Sequence, residues 1–215
     1  KAYGIPCDNF VSIGRGGNVP IPDQDRYDGR SLAVVTMARN FRQKGGDLML
    51  EAYHRLKSRH PRLEWHIVGG RPDAAVSGVD GIHYHGFLKK TDPAQLKEFQ
   101  GVLEQAFLLV HPTREDTNPL VISEAGYFGC PSISVNRFAI PELIRNGETG
   151  VLLEPRVDGA MLAEAIERII AAPDAYAEMR RKARAYALEQ ANWDTIGDRM
   201  AEHIKSRLTS MGKRR

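Results

Sequence analysis

Short apolar segments alternate with segments of helical periodicity after Arg30, and this alternation restricts the fold more than any other feature. Strands are predicted at residues 32–37, 65–68, 82–85, 107–110, 132–135 and 151–153, and helices between them at 47–56, 93–99, 119–128 and 141–144. A strand that is apolar throughout is buried on both faces, and a helix after it returns the chain to a parallel neighbour. The sequence therefore predicts an α/β fold, a parallel sheet with helices on both faces.

The same pattern predicts where a ligand binds. Ligands of open parallel sheets bind at the carboxyl ends of the strands. This rule brings the loops after Met37, His85 and Val110 to one rim of the sheet. The remainder of the chain, residues 159–210, is predicted to be helical, with helices at 160–171, from Pro173 onward and at 193–208.

Composition and charge exclude several classes of protein. The chain has 215 residues, is 42% hydrophobic and 27% charged and carries a net charge of +3, which is typical of a globular protein and does not indicate a nucleic-acid partner. Cys7 and Cys130 match no metal or disulfide spacing, so both are predicted to be reduced in a cytoplasmic protein. No signal peptide or membrane-spanning segment is predicted. The basic end, residues 213–215, is either a solvated tail or a weak peripheral contact to the anionic inner face of a membrane.

The sequence HPTREDTNPLVISEAGYFGCP, residues 111–131, is the most distinctive candidate site. Asn118 is predicted to be the N-cap of a helix that starts at Pro119, and Gly129 and Pro131 are predicted to end it. Backbone N–H groups at a helix start favour an anion, and Glu124 points back towards that end because helical side chains lean N-terminally. With Asp116, the segment predicts an anion-binding cradle flanked by two carboxylates, suited to a sugar nucleotide. Both acids could instead be ordinary surface charges, but the apolar neighbours of Glu124 favour a functional role.

The loop after Met37 is the second candidate. Arg39, Arg42 and Lys44 precede a predicted helix start, and such cations can neutralise a diphosphate. Gly45 and Gly46 at that start let the backbone approach a ligand closely. Composition alone favours this interpretation and that of a solvated surface loop about equally.

Histidines give no further site. His83 and His85 share one face of a predicted strand and could hold a metal, but no third ligand is evident, so no metal site is predicted.

Taken in order, these motifs resemble the C-terminal, donor-binding domain of family 4 retaining glycosyltransferases, which have the GT-B fold with Rossmann-like halves. The motifs are Tyr3-Gly4-Ile5-Pro6 with Phe10-Val11-Ser12-Ile13, Ala38-Arg39 with Lys44-Gly45-Gly46-Asp47, Ile67-Val68-Gly69-Gly70, Gly86-Phe87-Leu88, Pro112-Thr113-Arg114 before the two acids, and Ile140-Pro141-Glu142-Leu143-Ile144 with Asn146-Gly147-Glu148-Thr149-Gly150. The resemblance implies a connector at residues 1–22, a Rossmann-like nucleotide-sugar-binding domain at 23–190, and at 191–215 a helix crossing to a missing N-terminal domain, followed by the basic tail.

The resemblance also implies residue roles. Arg39 and Lys44 would contact the donor diphosphate, Glu124 the ribose hydroxyls and Asp116 the sugar, and these four are the expected catalytic residues. Other donor-binding residues would be the backbone from Thr117 through Asn118, Pro119 and Leu120 to Val121, and Gly86, Phe87 and Leu88 beside the base. No metal or cofactor is expected. The family has a glutamate where this chain has Asp116 and a Gly-Phe-Gly-like segment where it has Thr117-Asn118-Pro119, which predicts an altered sugar pocket.

The function predicted on this basis is transfer of a hexosyl group from a nucleotide-diphospho-sugar to an unknown acceptor. The isolated domain is expected to bind nucleotide and to be inactive without its N-terminal half. Two alternatives remain open from the sequence, namely a non-catalytic nucleotide-sugar-binding or scaffold module of the same fold and a sugar-nucleotide epimerase. The chain begins at Lys1 without a methionine, as expected of a fragment or a processed chain.

Overall fold

The computed structural model describes residues 11–212. The strands are β1 (Leu32–Ala38), β2 (Leu63–Gly69), β3 (Ile82–Gly86), β4 (Ala106–His111), β5 (Ser132–Val135) and β6 (Gly150–Leu153). The helices are α1 (Gly46–Lys57), α2 (Pro93–Glu104), α3 (Leu120–Tyr127), α4 (Gly159–Ile170), α5 (Pro173–Gln190) and α6 (Trp193–Gly212). Short 3-10 turns lie at Ala74–Val76 and Ile140–Glu142.

The six strands form one parallel sheet in the order β3-β2-β1-β4-β5-β6. This order reverses direction between β1 and β4, and a doubly wound sheet has its ligand crevice beside such a switch point. The predicted Rossmann-like α/β fold is confirmed. The loops after β1 and β4 lie on either side of the crevice, as the rim rule predicts.

Central strands are apolar because both of their faces are covered. β4 is buried along its whole length, and β1 is buried from Ala33 onward. Trp65 of β2 packs beside Phe41 and Tyr53, with ring centroids 6.0 and 5.9 Å away, and its indole N–H donates to Thr36 Oγ1 at 3.0 Å. Because Phe41 belongs to the loop after β1, this aromatic cluster anchors that loop to the core.

Helix α3 differs in one detail from the sequence prediction. Asn118 was predicted as the N-cap and Pro119 as the first helical residue, but the helix starts at Leu120 with Pro119 in the N-cap position. Pro119 has ψ of 86°, outside the helical range, and the Asn118 N–H is already bound to Asp116 Oδ1 at 3.1 Å. Gly129 follows the helix with φ of 70°, so the predicted glycine stop is correct.

Two other boundaries change. The predicted helix at residues 141–144 is the 3-10 turn Ile140–Glu142, whose proline limits it to one turn. The apolar segment Phe10–Ile13 predicts a short strand, but its described residues, 11–13, are in no strand. Several predictions fall outside the described residues, namely those on the Tyr3–Pro6 motif, Cys7, Phe10 and the basic tail at 213–215.

The segment before β1 packs across α3 and the start of α6. The Gly17 N–H donates to the Tyr127 hydroxyl at 2.7 Å, and a Cβ on Gly17 would lie 2.6 Å from Glu124 Cγ. The glycine is therefore required by close approach rather than by a turn. On α6, four apolar side chains are exposed: Trp193, Met200, Ile204 and Leu208. Among the described residues, no helix is long and apolar enough to cross a membrane.

Candidate functional site

A cavity of about 480 Å³ opens where β1, β2 and β3 end. Its lining comes from the ends of β1 and β2, from the loops after β1 and β3, and from α2 and α3: Met37, Ala38, Arg39, Val68, Gly69, Phe87, Leu88, Lys89, Lys90, Thr91, Phe99 and Val121. This volume is within the range of small-molecule sites. Four of the predicted donor-binding residues, Arg39, Phe87, Leu88 and Val121, therefore border one cavity.

The loops after β1 and β4 are joined by an ion pair between two predicted site residues. Lys44 Nζ lies 2.7 Å from Asp116 Oδ2 and 2.8 Å from the Glu115 carbonyl oxygen. The same Asp116 oxygen lies 3.0 Å from Nε2 of His111, a fully buried histidine. Burial opposes ionisation of Asp116, but the hydrogen bonds from His111 and Lys44 outweigh it and hold the pKa of this carboxyl well below its usual range. Asp116 is thus a permanent anion whose oxygens are occupied from within the protein.

Close packing of the two loops depends on Gly45. This residue has φ of 79°, and a Cβ on it would lie 2.3 Å from the Pro112 carbonyl oxygen. Arg114 strengthens the same contact through two hydrogen bonds to Asp47, at 2.7 and 2.9 Å. The first loop is therefore held against the second before any ligand arrives.

The three cations of the first loop have different surroundings. Arg42 pairs with Asp73 at 2.7 Å and not with Asp116 or Glu124. Arg39 is exposed beside the cavity and forms no side-chain hydrogen bond with any other residue that the structure describes. Of these three cations, Arg39 lines the cavity, whereas Lys44 and Arg42 are paired with carboxylates.

Glu124 is fully buried and has a partner that the sequence did not indicate. Lys90 Nζ lies 2.6 Å from both carboxylate oxygens, and the Asn18 N–H donates to Oε1 at 2.8 Å. The Lys90 ammonium also lies 4.5 Å from the centre of the Phe99 ring. A buried carboxylate requires a cation or hydrogen-bond donors to compensate for its lost hydration. Lys90, which supplies this charge, also lines the cavity.

The helix start supplies fewer free N–H groups than predicted. The Asn118 N–H binds Asp116, and the Leu120 N–H binds the Asn118 carbonyl at 3.0 Å. Pro119 has no N–H. Among the described residues, the N–H groups of Thr117 and Val121 have no hydrogen-bond acceptor. The cradle therefore offers two backbone donors, not one from every residue between 117 and 121.

The loop after β3 supplies an apolar wall. Gly86 has φ of 72°, which turns the chain out of β3. Phe87 is 63% exposed beside the cavity, while Leu88 is buried behind it. An exposed phenylalanine at a cavity mouth presents a flat surface on which an aromatic base can stack.

Sequence reasoning missed Lys90, His111 and Asn18 as site residues. Lys90 stands in a polar loop with no motif, and its partner is distant along the chain. His111 ends a predicted strand, where a histidine is more often a strand-end residue than a base. The signal that was available is the predicted burial of Glu124, because a buried carboxylate implies a nearby cation.

Comparison with known proteins decides the family. Residues 21–189 match the family described as Glycosyl transferases group 1. This chain belongs to the group 1 glycosyl transferases. The match contains every predicted site residue, and it confirms the family resemblance seen in the sequence.

Two curated relatives of this group 1 domain are bacterial transferases. It is 28% identical over 219 residues to a GDP-mannose-dependent alpha-(1-6)-phosphatidylinositol monomannoside mannosyltransferase of Mycolicibacterium smegmatis, covering 95% of this chain and 55% of that protein. It is 30% identical over 198 residues to a D-inositol 3-phosphate glycosyltransferase of Gordonia bronchialis, covering 85% of this chain and 42% of that protein. The chain thus spans about half the length of the curated relatives it matches.

Solved structures agree on the fold. A glycosyltransferase from Rickettsia africae superposes with a TM-score of 0.73 at 18% identity, over 96% of this chain and 59% of that one. Anabaena Alr3699/HepE, solved with UDP and glucose, superposes with a TM-score of 0.65 at 20% identity, over 82% of this chain and 48% of that one. The expected fold, that of the C-terminal half of a GT-B glycosyltransferase, is confirmed.

Proposed function

We propose that this chain is the donor-binding domain of a retaining glycosyltransferase that transfers a hexosyl group from a nucleotide-diphospho-sugar. The observation that carries the proposal is the cluster of charges at the sheet's switch point. Arg39 and Lys90 line the cavity, and Lys90 pairs with the buried Glu124 of α3. Lys44 pairs with Asp116 between the loops after β1 and β4, and two N–H groups near the start of α3 have no acceptor among the described residues. Cations and backbone donors suit a diphosphate, and a buried carboxylate suits ribose hydroxyls.

The proposed chemistry is electrostatic. The nucleotide diphosphate is the leaving group, and negative charge builds up on it as the bond to the sugar breaks. Arg39, Lys44 and the N–H groups of Thr117 and Val121 stabilise that charge from fixed positions, and no metal ion is required for this role. Asp116 lies at the sugar end of the crevice and accepts hydrogen bonds from sugar hydroxyls once Lys44 turns to the phosphate.

The base has its own part of the crevice in this proposal. Phe87 provides the stacking surface, and Leu88 and Val68 provide the apolar floor. One similar protein is named for GDP-mannose and another was solved with UDP, so both nucleotides are candidates. We further propose that an N-terminal domain, which the matched half of the relatives does not include, supplies the acceptor site.

Calorimetric titration with UDP and GDP tests the donor site. We expect the chain to bind at least one of them and Lys44→Ala to bind it about 10- to 100-fold more weakly, because a charge-assisted hydrogen bond contributes about 1.5–3 kcal/mol. Lys205→Ala is the matched control, since it removes the same charge from an exposed position on α6. If millimolar UDP and GDP both fail to bind, or if the two variants lose affinity equally, the proposal is wrong.

Retention and hexosyl transfer need the full-length enzyme. We expect Glu124→Gln to reduce transfer strongly in that enzyme. The anomeric configuration of the product, measured by NMR, should equal that of the donor. An inverted product contradicts the retaining mechanism even where donor binding is established.

A further inference from the structure

A histidine-rich cluster lies on β2 and β3, on side chains that take no part in the proposed donor site. Glu64 and His66 alternate along β2 and therefore point to the same face of the sheet, as do His83 and His85 along β3. His66 pairs in register with His83. The His66 ring centroid is 4.7 Å from that of His83 and 5.2 Å from that of His85. Parallel pairing thus joins the predicted His83–His85 pair to two further side chains.

Three of these side chains present ligand atoms at metal-binding spacing. Glu64 Oε2 lies 3.4 Å from His66 Nε2 and 3.8 Å from His83 Nε2, and the three ligand atoms lie within 4.8 Å of one another. Ligands about 2.1 Å from a tetrahedral ion are separated by roughly 3.4 Å. One ion can therefore contact all three atoms after small side-chain movements, with a fourth position open to water because Glu64 and His83 are about half exposed.

A chain of hydrogen bonds orients the central histidine. His85 Nδ1 lies 2.9 Å from Glu98 Oε1, and a carboxylate can only accept, so this nitrogen carries a proton. In the neutral His85 ring, Nε2 is then an acceptor, and it lies 2.9 Å from His66 Nδ1, which must donate. The lone pair of a neutral His66 is thereby directed through Nε2 towards Glu64.

This arrangement brings two acceptors together. His66 Nε2 and Glu64 Oε2 face each other at 3.4 Å, with His83 Nε2 beside them. Two lone pairs at that distance repel unless a cation lies between them. Carboxylate–histidine relays of this type also orient metal-bound histidines in proteins.

We propose that Glu64 Oε2, His66 Nε2 and His83 Nε2 bind one divalent transition-metal ion of the zinc class. Two imidazoles and one carboxylate suit zinc better than calcium or magnesium, which prefer oxygen ligands. His85 and Glu98 are positioning residues for His66. The ion joins the edge strand β3 to β2, just before the Gly86–Leu88 turn, and so stabilises this edge of the sheet without contacting the donor residues.

Zinc competition between the untagged chain and a chromophoric chelator tests the site. We expect one ion per chain, a higher unfolding temperature with zinc, and a loss of affinity of about tenfold or more in His83→Gln and in Glu64→Gln. The matched control is His54→Gln, which removes an exposed histidine on α1. Cobalt substitution supplies a second measurement, since a nitrogen and oxygen ligand set gives a visible absorption band.

His85→Gln separates positioning from folding. We expect it to keep the unfolding temperature of the metal-free protein and the cobalt band at saturation, but to require about 10- to 100-fold more metal. The proposal is overturned if submillimolar zinc does not bind, if Glu64→Gln and His83→Gln bind as the wild type does, or if His54→Gln loses as much affinity as they do. Unchanged binding by Glu64→Gln and His83→Gln, or an equal loss in His54→Gln, would mean that zinc binds elsewhere. In that case a proton, rather than a metal ion, lies between His66 and Glu64. Because UDP or GDP binding is measured separately, failure here leaves the donor-site proposal intact.

Discussion

The Lys90–Glu124 ion pair gives a quantitative test of how the crevice is held together. Lys90→Met keeps most of the aliphatic stem that lies over Phe99 but removes the ammonium that contacts both oxygens of Glu124. Glu124 is fully buried. In Lys90→Met, the Asn18 N–H is the hydrogen-bond donor that its carboxylate retains among the described residues. Removing one partner of a fully buried pair costs about 3–5 kcal/mol. Because the Lys90 side chain is 30% exposed, water can partly replace it, and we expect a loss of about 2–3 kcal/mol.

Urea unfolding at neutral pH, followed by circular dichroism, measures this loss. A double-mutant cycle isolates the pair, since Glu124→Gln removes the charge that Lys90 neutralises. We expect Lys90→Met to cost much less in the Glu124→Gln background than in the wild type. Lys97→Met is the control, because Lys97 is an exposed lysine of α2. A cost below about 0.5 kcal/mol, the usual limit for surface substitutions, or simple additivity of the two changes would refute the reasoning.

Three further results are expected. In urea unfolding, Gly45→Ala should destabilise the chain by more than about 1 kcal/mol, and by more than the control Gly29→Ala. Both glycines have positive φ, but only at Gly45 would an added Cβ lie against Pro112, so equal losses would contradict this. As the pH drops below about 4, the stability of the wild type should fall more steeply than that of Asp116→Asn. A carboxyl whose pKa is lowered by folding contributes stability above its unfolded pKa, and this contribution is lost as the pH approaches the folded pKa. Parallel pH profiles would contradict this. Burial raises the pKa of the Cys130 thiol to about 12, so in a Cys7→Ser variant a thiol reagent should react only after unfolding, and fast labelling of the folded chain would contradict this.

The order of elements was predictable because it follows from local patterns. Continuous apolar segments such as residues 107–110 match the strand β4 (Ala106–His111), and the alternation predicts the parallel sheet. Boundaries were less predictable where side chains compete with the backbone. At α3 the Asp116 carboxylate binds the Asn118 N–H and moves the helix start by one residue.

The site was predictable only where its residues belong to one segment. Asp116, Glu124, Arg39 and Lys44 stand in motifs that local reasoning can identify. Lys90 and Asn18 reach Glu124 from 34 and 106 residues away, and nothing in their own segments indicates this. The third and fourth members of the histidine cluster come from a neighbouring strand, so they depend on the β2–β3 register. In each case the missing information is long-range pairing.

The Lys44–Asp116 pair has a consequence for donor binding, and its sign can be tested. Asp116 holds Lys44 at 2.7 Å, so an incoming diphosphate competes with an internal anion for the same ammonium. Both side chains keep some contact with water, 18% and 16% of their surface, so we take the pair to contribute about 1 kcal/mol, the upper end of the range for solvent-screened pairs. Asp116→Asn removes the competing charge, so we expect UDP or GDP to bind about fivefold more tightly. The sugar nucleotide should gain less than the free nucleotide diphosphate, because the carboxylate that accepts the sugar hydroxyls is lost as well. Calorimetry with both ligands measures this difference. Weaker binding of the nucleotide diphosphate by Asp116→Asn would show that the carboxylate holds Lys44 in its productive position, rather than competing for it.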